Sequence, residues 1–354
     1  TRSMAEPRPA RSKALSARGN KPVMLLAPAK EGVDAAQMAD NIPVVSRPTR
    51  VEALTQALSA TGIPVVFPLE ALRTAAARGD ILQSTALAFD NDHQLRFLLG
   101  GQPTVMPYAE CADGLAEGAV RDIAVLTRVG RPTCFLVRAV RQEPGCPPVL
   151  DISRTEAQRA CRRNYLDRLL PGDIIPCTVT HIEPFGAFCD VGCGISALLP
   201  IDCLSVSRIQ SPADRVAVGQ PLLCAVKSRD AQGRLVLTLR ELLGTWAENA
   251  ACFSPGETVV GIVRSVEEYG VFIEIAPNLA GLAESCGDLT PGQAVSVYIK
   301  NILPDKMKIK LVVVNRELNR TLRFEPRYFI TKGRLERWVY STPQCRKHIE
   351  THFG

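Results

Sequence analysis

The sequence lacks the long apolar segments of a membrane protein. Its 354 residues contain no apolar run of about 18 residues, the length that spans a bilayer, and no signal-peptide pattern. Aromatic residues make up only 5% of the chain, although hydrophobic residues reach 46%. The composition therefore predicts a soluble cytoplasmic protein with packed cores and no membrane partner, in which any cluster of aromatic side chains is informative.

Paired cysteine motifs are also missing. The chain has 12 cysteines but no CxxC pair, and most of them lie in apolar strand patterns, which predicts small buried side chains rather than disulfides or zinc ligands. Cys345, His348 and His352 would share one face of a helix, but no fourth ligand stands nearby. A metal at these three residues is the less favoured alternative, and we expect no cofactor. The formal charge of +6 suits a polyanionic partner.

A stretch between residues 185 and 191 shows the period of a β-strand with an unusual outer face. Every second residue, from 187 onwards, is small or apolar. Phe188 and Asp190 fall on the opposite face, and Phe185 precedes them across Gly186. An outward Phe beside a charge is typical of a surface on which nucleic-acid bases stack.

The same spacing returns 84 residues later. Tyr269, Gly270 and Phe272 repeat the two aromatic residues around a glycine, and Glu274 follows as the outward acid. Two long stretches with one spacing indicate an internal repeat.

A third, more divergent copy lies upstream. In each copy a glycine is followed eight residues later by a basic residue, and these basic residues are Arg138, Lys227 and Lys300. Where the other copies have their aromatic pair, the upstream copy has Asp90–His93, which predicts a polar hairpin turn without a stacking surface. Three copies of one β unit account for most of the chain.

Residues 172–240 resemble the S1 RNA-binding domain, the five-stranded OB-fold module of bacterial ribosomal protein S1 and of several ribonucleases. The resemblance rests on the FGAF of Phe185–Phe188, the GCGISALLP that follows, and Gln232–Thr238. It is strong for the middle copy, good but shortened for the last and weak for the first. It implies a mainly β protein of tandem five-stranded OB barrels, joined by short helices, whose strand 2–3 face receives single-stranded RNA.

The remaining segments follow from composition and from helix signals. We predict a disordered basic and proline-rich arm at 1–45, a short helical segment at 46–78, a degenerate S1-like OB repeat at 79–157, a linker helix at 158–170, an S1 domain at 171–244, a shortened S1 domain at 255–318, and a basic and aromatic C-terminal hairpin and tail at 319–354. For the aromatic residues of the tail, an RNA surface and docking on the last barrel are equally open.

The candidate RNA-binding residues are rings that would stack on bases and cations that would neutralise phosphates. They are His181, Phe185, Phe188, Lys227 and Arg234 in the middle copy, and Arg264, Tyr269, Phe272, Lys300 and Lys308 in the last copy, where Lys306 and Lys310 add basic charge. The S1 family often has a His at the exit of the third strand. Pro200 and Glu284 stand there instead, which predicts weaker binding.

The function favoured by this resemblance is non-catalytic binding of single-stranded RNA, on messenger RNA in translation or at the small ribosomal subunit. The alternative is an adaptor whose OB folds dock on proteins, with RNA binding incidental. A ribonuclease would need a separate domain with clustered metal-binding carboxylates. The segments outside the three copies are too short for such a domain, so we do not expect an enzyme.

Overall fold

The computed structural model describes residues 69–285, 288–316, 318 and 323–354, together with the backbone of two short strands. These strands, β1 (Met24–Leu25) and β2 (Val65–Val66), pair in parallel. The rest of the predicted arm, and residues 46–64, 67 and 68 of the predicted helical segment, lie outside the described residues. The chain divides into two compact units, Thr1–Arg168 and Leu169–Gly354.

The first unit contains the helix Leu69–Arg78 and two three-stranded sheets. Its strands are β3 (Ile81–Thr85), β4 (Ala88–Phe89), β5 (Leu95–Leu99), β6 (Gln102–Met106), β7 (Pro132–Arg141) and β8 (Val149–Ser153). One sheet has the order β3-β7-β8 and the other the order β4-β5-β6. Buried residues alternate with exposed ones along β5, so Leu95 and Phe97 face a core that also includes Leu72 and Phe135.

The second unit contains two closed five-stranded barrels. Barrel 1 consists of β9 (Ile174–Glu183), β10 (Gly186–Asp190), β11 (Ser196–Pro200), β12 (Pro221–Arg229) and β13 (Leu235–Thr238). Barrel 2 consists of β14 (Thr258–Glu267), β15 (Gly270–Ala276), β16 (Leu279–Ala283), β17 (Ala294–Leu303) and β18 (Lys308–Asn315). Both have the same order, in which the third strand pairs with the fifth in parallel. The predicted tandem OB-type barrels are confirmed.

The first unit has the same strand order without barrel closure. The pairs β4–β5, β5–β6, β3–β7 and β7–β8 are those of the barrels, with β3 and β4 as two halves of an interrupted first strand. β6 and β8 lie side by side but form no ladder. The interruption lies at Ala86, which instead bridges to Val129. The predicted first repeat is therefore two open sheets, and its kinship with the S1 domain stays a prediction.

The polar turn of the first copy is confirmed. It connects β4 to β5, and the Asp90 carboxylate accepts the backbone N–H groups of Asp92 and Gln94. His93 adopts a left-handed φ of 58° within this turn, so it is a turn residue.

Short helices connect and close these elements. The linker helix spans Arg154–Asn164, earlier than the predicted 158–170, because the Ser153 hydroxyl accepts the Glu156 N–H and caps its start. The other short helical segments are Tyr108–Glu110, Ile123–Leu126, Leu166–Arg168, Ile201–Cys203, Pro212–Asp214, Arg240–Leu243, Trp246–Ala250 and Pro304–Lys306. None of the helices in the described ranges is long and apolar enough to cross a bilayer.

The C-terminal segment (residues 323–354) is not the predicted hairpin, whose two strands the sequence places at 327–330 and 334–340 around a turn with Gly333. β19 (Arg337–Val339) pairs with β20 (Glu350–His352), whereas residues 327–330 form no strand. The helix considered for Cys345, His348 and His352 does not form, because His352 lies in β20 and the other two residues lie in the irregular segment before it. Within the described part of the chain, no three His, Cys, Asp or Glu side chains are grouped as metal ligands.

The reason for this difference is that the C-terminal segment docks on both barrels. The Tyr328 hydroxyl accepts the Leu223 N–H of barrel 1 at 3.0 Å. Trp338, Tyr340 and Phe353 are buried in the same core cluster as barrel 2. Of the two alternatives left open by the sequence, docking accounts for these aromatic side chains.

Candidate nucleic-acid interface

Three rings cluster on the outer face of barrel 1. Ala187 and Cys189 point into the barrel and are fully buried, so Phe188 between them points outward and is half-buried. Phe188 stacks on His181 across β9 and β10, with ring centroids 6.4 Å apart and planes 20° apart. Phe185, which is 55% exposed, meets Phe188 edge-on at 6.0 Å. The cluster presents ring surface to solvent.

Barrel 2 has the equivalent pair without the third ring. Tyr269 is 70% exposed and meets Phe272 edge-on at 6.1 Å. Ser265 stands opposite Phe272, where barrel 1 has His181. The His181 ring in turn lies 2.7 Å from a Glu183 oxygen, which orients it. We call the rings of barrel 1 and of barrel 2 the two aromatic faces.

The glycine inside each aromatic pair allows two strands to approach closely. A Cβ at Gly186 would lie 2.6 Å from the Leu199 oxygen, and a Cβ at Gly270 would lie 2.5 Å from the Ala283 oxygen. Any larger residue would push the second strand away from the third. The two glycines therefore fix the backbone that carries the aromatic faces.

The basic residue that recurs in each copy lies at a β-bulge. The pairing register shifts on either side of Lys227, Lys300 and Arg138. A bulge inserts an unpaired residue into a strand and re-aims its side chain. The spacing from the glycine of each copy predicts the positions of these basic residues, but it does not reveal the bulge that turns their side chains outward.

The three basic residues differ in the contacts that they already make with other side chains of the protein. Arg138 lies 2.7 Å from both Glu110 and Asp151. Lys227 donates to the Cys203 sulfur at 3.1 Å; burial raises the pKa of this thiol, although the lysine acts in the opposite direction. Lys300 is exposed and has no ion-pair partner among the residues that the structure describes. The availability of this cation for a ligand increases from the first copy to the last.

A lysine is in line with the aromatic face of barrel 2. Phe272 pairs with Leu282, and Leu282 pairs with Lys310 on β18. Lys308 also points outward but lies two residues further along the strand. Barrel 1 has Val236 at the position of Lys310, so it has no cation there.

Arg234 lies on the turn between β12 and β13, away from the strands that hold the rings. Its Nε is 2.6 Å from Asp230, which also accepts backbone N–H groups of the turn. Partial desolvation would raise the pKa of Asp230, but the bonds from Arg234 and the turn lower it below its ordinary value. Arg234 therefore stabilises this turn and stays accessible to solvent.

The prediction is wrong for Arg264, which is only 8% exposed. Its Nε donates to Glu274 at 2.7 Å, and Glu274, predicted to be an outward acid, is fully buried. Arg215 is also fully buried and binds the other Glu274 oxygen at 2.5 Å. The cause is long-range packing, because the barrel 1 segment that carries Asp214 and Arg215 covers this part of β15.

Barrel 1 also matches a known family. Residues 169–240 match the sequence model of the S1 RNA binding domain. The chain contains an S1 RNA-binding domain. The matched residues include every strand of barrel 1, and with them the aromatic face of Phe185 and Phe188.

Curated relatives share part of the sequence. The small ribosomal subunit protein bS1 of Staphylococcus epidermidis is 33% identical over 168 residues, which cover 44% of this chain and 42% of the relative. The protein of the same name from Staphylococcus aureus is 31% identical over 172 residues, 45% of this chain and 44% of the relative. The chain therefore matches less than half the length of each relative.

Among solved structures, the chain is similar to a multidomain protein with nucleic acid binding domains from Streptococcus pneumoniae. The sequence identity is 13% and the TM-score is 0.24, with 68% of this chain and 75% of that chain covered.

Proposed function

We propose that the chain is a non-catalytic protein that binds single-stranded RNA through the aromatic faces of both barrels. The observation that supports this best is the repetition of one arrangement. In both barrels an aromatic pair brackets the glycine at the start of the second strand, and a lysine stands at the bulge of the fourth. Rings stack on unpaired bases of any sequence, and lysines attract phosphates.

The arrangement favours single strands over duplexes. In an A-form RNA helix the bases are already stacked, and the groove that displays sequence is too deep and narrow for side chains. Exposed rings such as Phe185 and Tyr269 need bases that are free to leave the stack. Single strands, loops and ends provide such bases.

The relatives support a role in translation. Both are named as proteins of the small ribosomal subunit, so we propose messenger RNA as the ligand, with binding in the cytoplasm during translation or at that subunit.

A titration of labelled single-stranded RNA at two salt concentrations tests this function. Cations that displace counterions from phosphates make binding weaker as salt increases, so we expect the dissociation constant to rise clearly between low and moderate salt. A duplex of the same sequence should bind more weakly. No binding, or binding that is equal at both salt concentrations, would refute the RNA function.

The first repeat has a different surface, which favours protein docking there. The outer side of β5 and β6 carries no ring, and Arg96 stands at the place of Phe188. Leu98 and Val105 are exposed on this side, and Leu87 is exposed just before β4. Its bulge arginine, Arg138, is already bound to Glu110 and Asp151. We infer that this repeat contacts a protein partner.

A further inference from the structure

Barrel 1 and barrel 2 meet at a buried cluster of charges. Arg215 of barrel 1 donates to Ser205 at 3.0 Å and to Glu274 of barrel 2 at 2.5 Å. The second oxygen of Glu274 accepts from Arg264. Two atoms of the Arg215 guanidinium, Nε and Nη1, have no hydrogen-bond partner among the described residues, so Glu274 is the main group that compensates the buried charge. A buried cation that loses its counter-charge is strongly destabilised, which makes this contact dependent on one carboxylate.

A second polar contact ties the barrels together at the turn between β15 and β16. Asn278 is 1% exposed. Its side-chain oxygen accepts the Val206 N–H of barrel 1 at 2.8 Å. Its side-chain nitrogen donates to the carbonyl oxygens of Arg240 and Gly244, which lie between the barrels.

The C-terminal segment binds to both barrels at once. Towards barrel 1, the Leu335 N–H donates to the Gly172 oxygen, and the Ile174 N–H donates to the Gly333 oxygen. Towards barrel 2, the Tyr340 hydroxyl donates to the Asn278 oxygen and the Thr342 hydroxyl donates to the Pro304 oxygen. This segment therefore bridges the two barrels independently of the charge cluster.

None of these three contacts covers an aromatic face. The hydrogen bonds involve Gly172, Asn278 and Pro304, none of which belongs to the rings. Phe185 and Tyr269 stay exposed in the joined barrels. Both faces are thus open to a ligand while the two barrels are joined.

We propose that the charge cluster and the C-terminal segment hold the barrels as one bivalent unit, whose ligand is a single RNA strand long enough to reach both aromatic faces. This inference rests on the proposed function. Once one face holds the strand, binding at the other becomes intramolecular, with an effective concentration set by geometry. Because no flexible linker has to be ordered, little conformational entropy opposes the second contact.

The test is a length series of oligouridine titrated against the full chain at one salt concentration. We expect weak binding of short strands and then a step of about 100-fold tighter binding once the strand reaches both faces. Phe188→Ala or Phe272→Ala should each abolish the step and leave short strands bound by the other barrel. A gradual, statistical increase with length would refute bivalency while leaving RNA binding intact. No binding at any length would instead refute the proposed function.

Two substitutions test whether the described contacts produce the step. Glu274→Gln removes the buried carboxylate, and Glu336→Gln is the matched control because it removes an exposed carboxylate. We expect Glu274→Gln to reduce the step without changing short-strand affinity by more than about twofold, and Glu336→Gln to change neither.

Tyr340→Phe gives a second test if Glu274→Gln does not fold, since it removes only the hydroxyl that bonds Asn278. It should reduce the step as well. A full step in the folded variants would show that these contacts do not set the separation of the faces.

Discussion

Phe188 and Phe272 are half-buried. Their removal should therefore reduce the free energy of unfolding by less than the removal of a fully buried Phe. Burying a whole Phe side chain contributes about 1.5–3 kcal/mol. We expect Phe188→Ala with Phe272→Ala to lower the free energy of unfolding by about 1 kcal/mol per site. RNA affinity should fall by about 1–3 kcal/mol per lost ring. Thermal melting and RNA titration of the same variant measure both.

The control for this double variant is Phe97→Ala in the first unit, where the ring is 2% exposed. It should cost about 3–5 kcal/mol of stability and leave RNA affinity unchanged. A loss of that size in the double variant, without an RNA defect, would mean that the two rings belong to the core.

Lys310 is in line with Phe272 and should contact phosphate. For Lys310→Gln we expect weaker RNA binding and a salt slope that decreases by about 1. The matched control, Lys332→Gln, removes an exposed lysine from the C-terminal segment and should leave the slope unchanged. If both variants lose the same amount of RNA affinity, binding depends on net charge rather than on this surface.

At the scale of the elements, Gly172 and Gly256 take the same place at the start of the two barrels but have different surroundings. Both have left-handed φ values, 90° and 96°. A Cβ at Gly172 would lie 1.9 Å from the Leu335 oxygen, whereas a Cβ at Gly256 would meet no atom of the described residues within 4 Å. Gly256→Ala should therefore cost only the left-handed penalty, about 1–2 kcal/mol.

Gly172→Ala carries the same penalty and in addition forces the C-terminal segment away from barrel 1. We expect a larger loss of stability than for Gly256→Ala, and faster protease cleavage within residues 323–354. Limited proteolysis followed by mass spectrometry measures this difference. Equal cleavage in the two variants would contradict the docking of this segment on Gly172.

Local patterns predicted the barrels because an OB barrel leaves its signature in short stretches. Period two placed Phe188 and Phe272 on the outer face, and the glycine-to-base spacing found Lys227 and Lys300. The same period placed Glu274 outward, but a barrel that is distant in sequence covers it. The hairpin predicted for the C-terminal segment is wrong for the same reason, because the partners of this segment are on the barrels rather than nearby in the chain.

At the scale of the molecule, the C-terminal segment completes the core of the second unit. Trp338, Tyr340 and Phe353 pack into the cluster that includes barrel 2. A chain that ends at Arg316 should lose several kcal/mol of stability in this unit, because removing even one buried Trp costs about 3–5 kcal/mol. Calorimetry should show this melting transition at a lower temperature while that of the first unit is unchanged. A melting curve equal to that of the full chain would contradict this.

The bulges at Arg138, Lys227 and Lys300 also bear on how the copies diverge. A bulged residue is an extra residue that has no partner on the neighbouring strand. An in-frame deletion of its codon therefore removes the cation and leaves the strand pairing on either side complete. Substitutions elsewhere can capture the cation instead, as Glu110 and Asp151 capture Arg138. Each repeat thus has two short mutational routes away from binding a polyanion, and neither requires a new backbone.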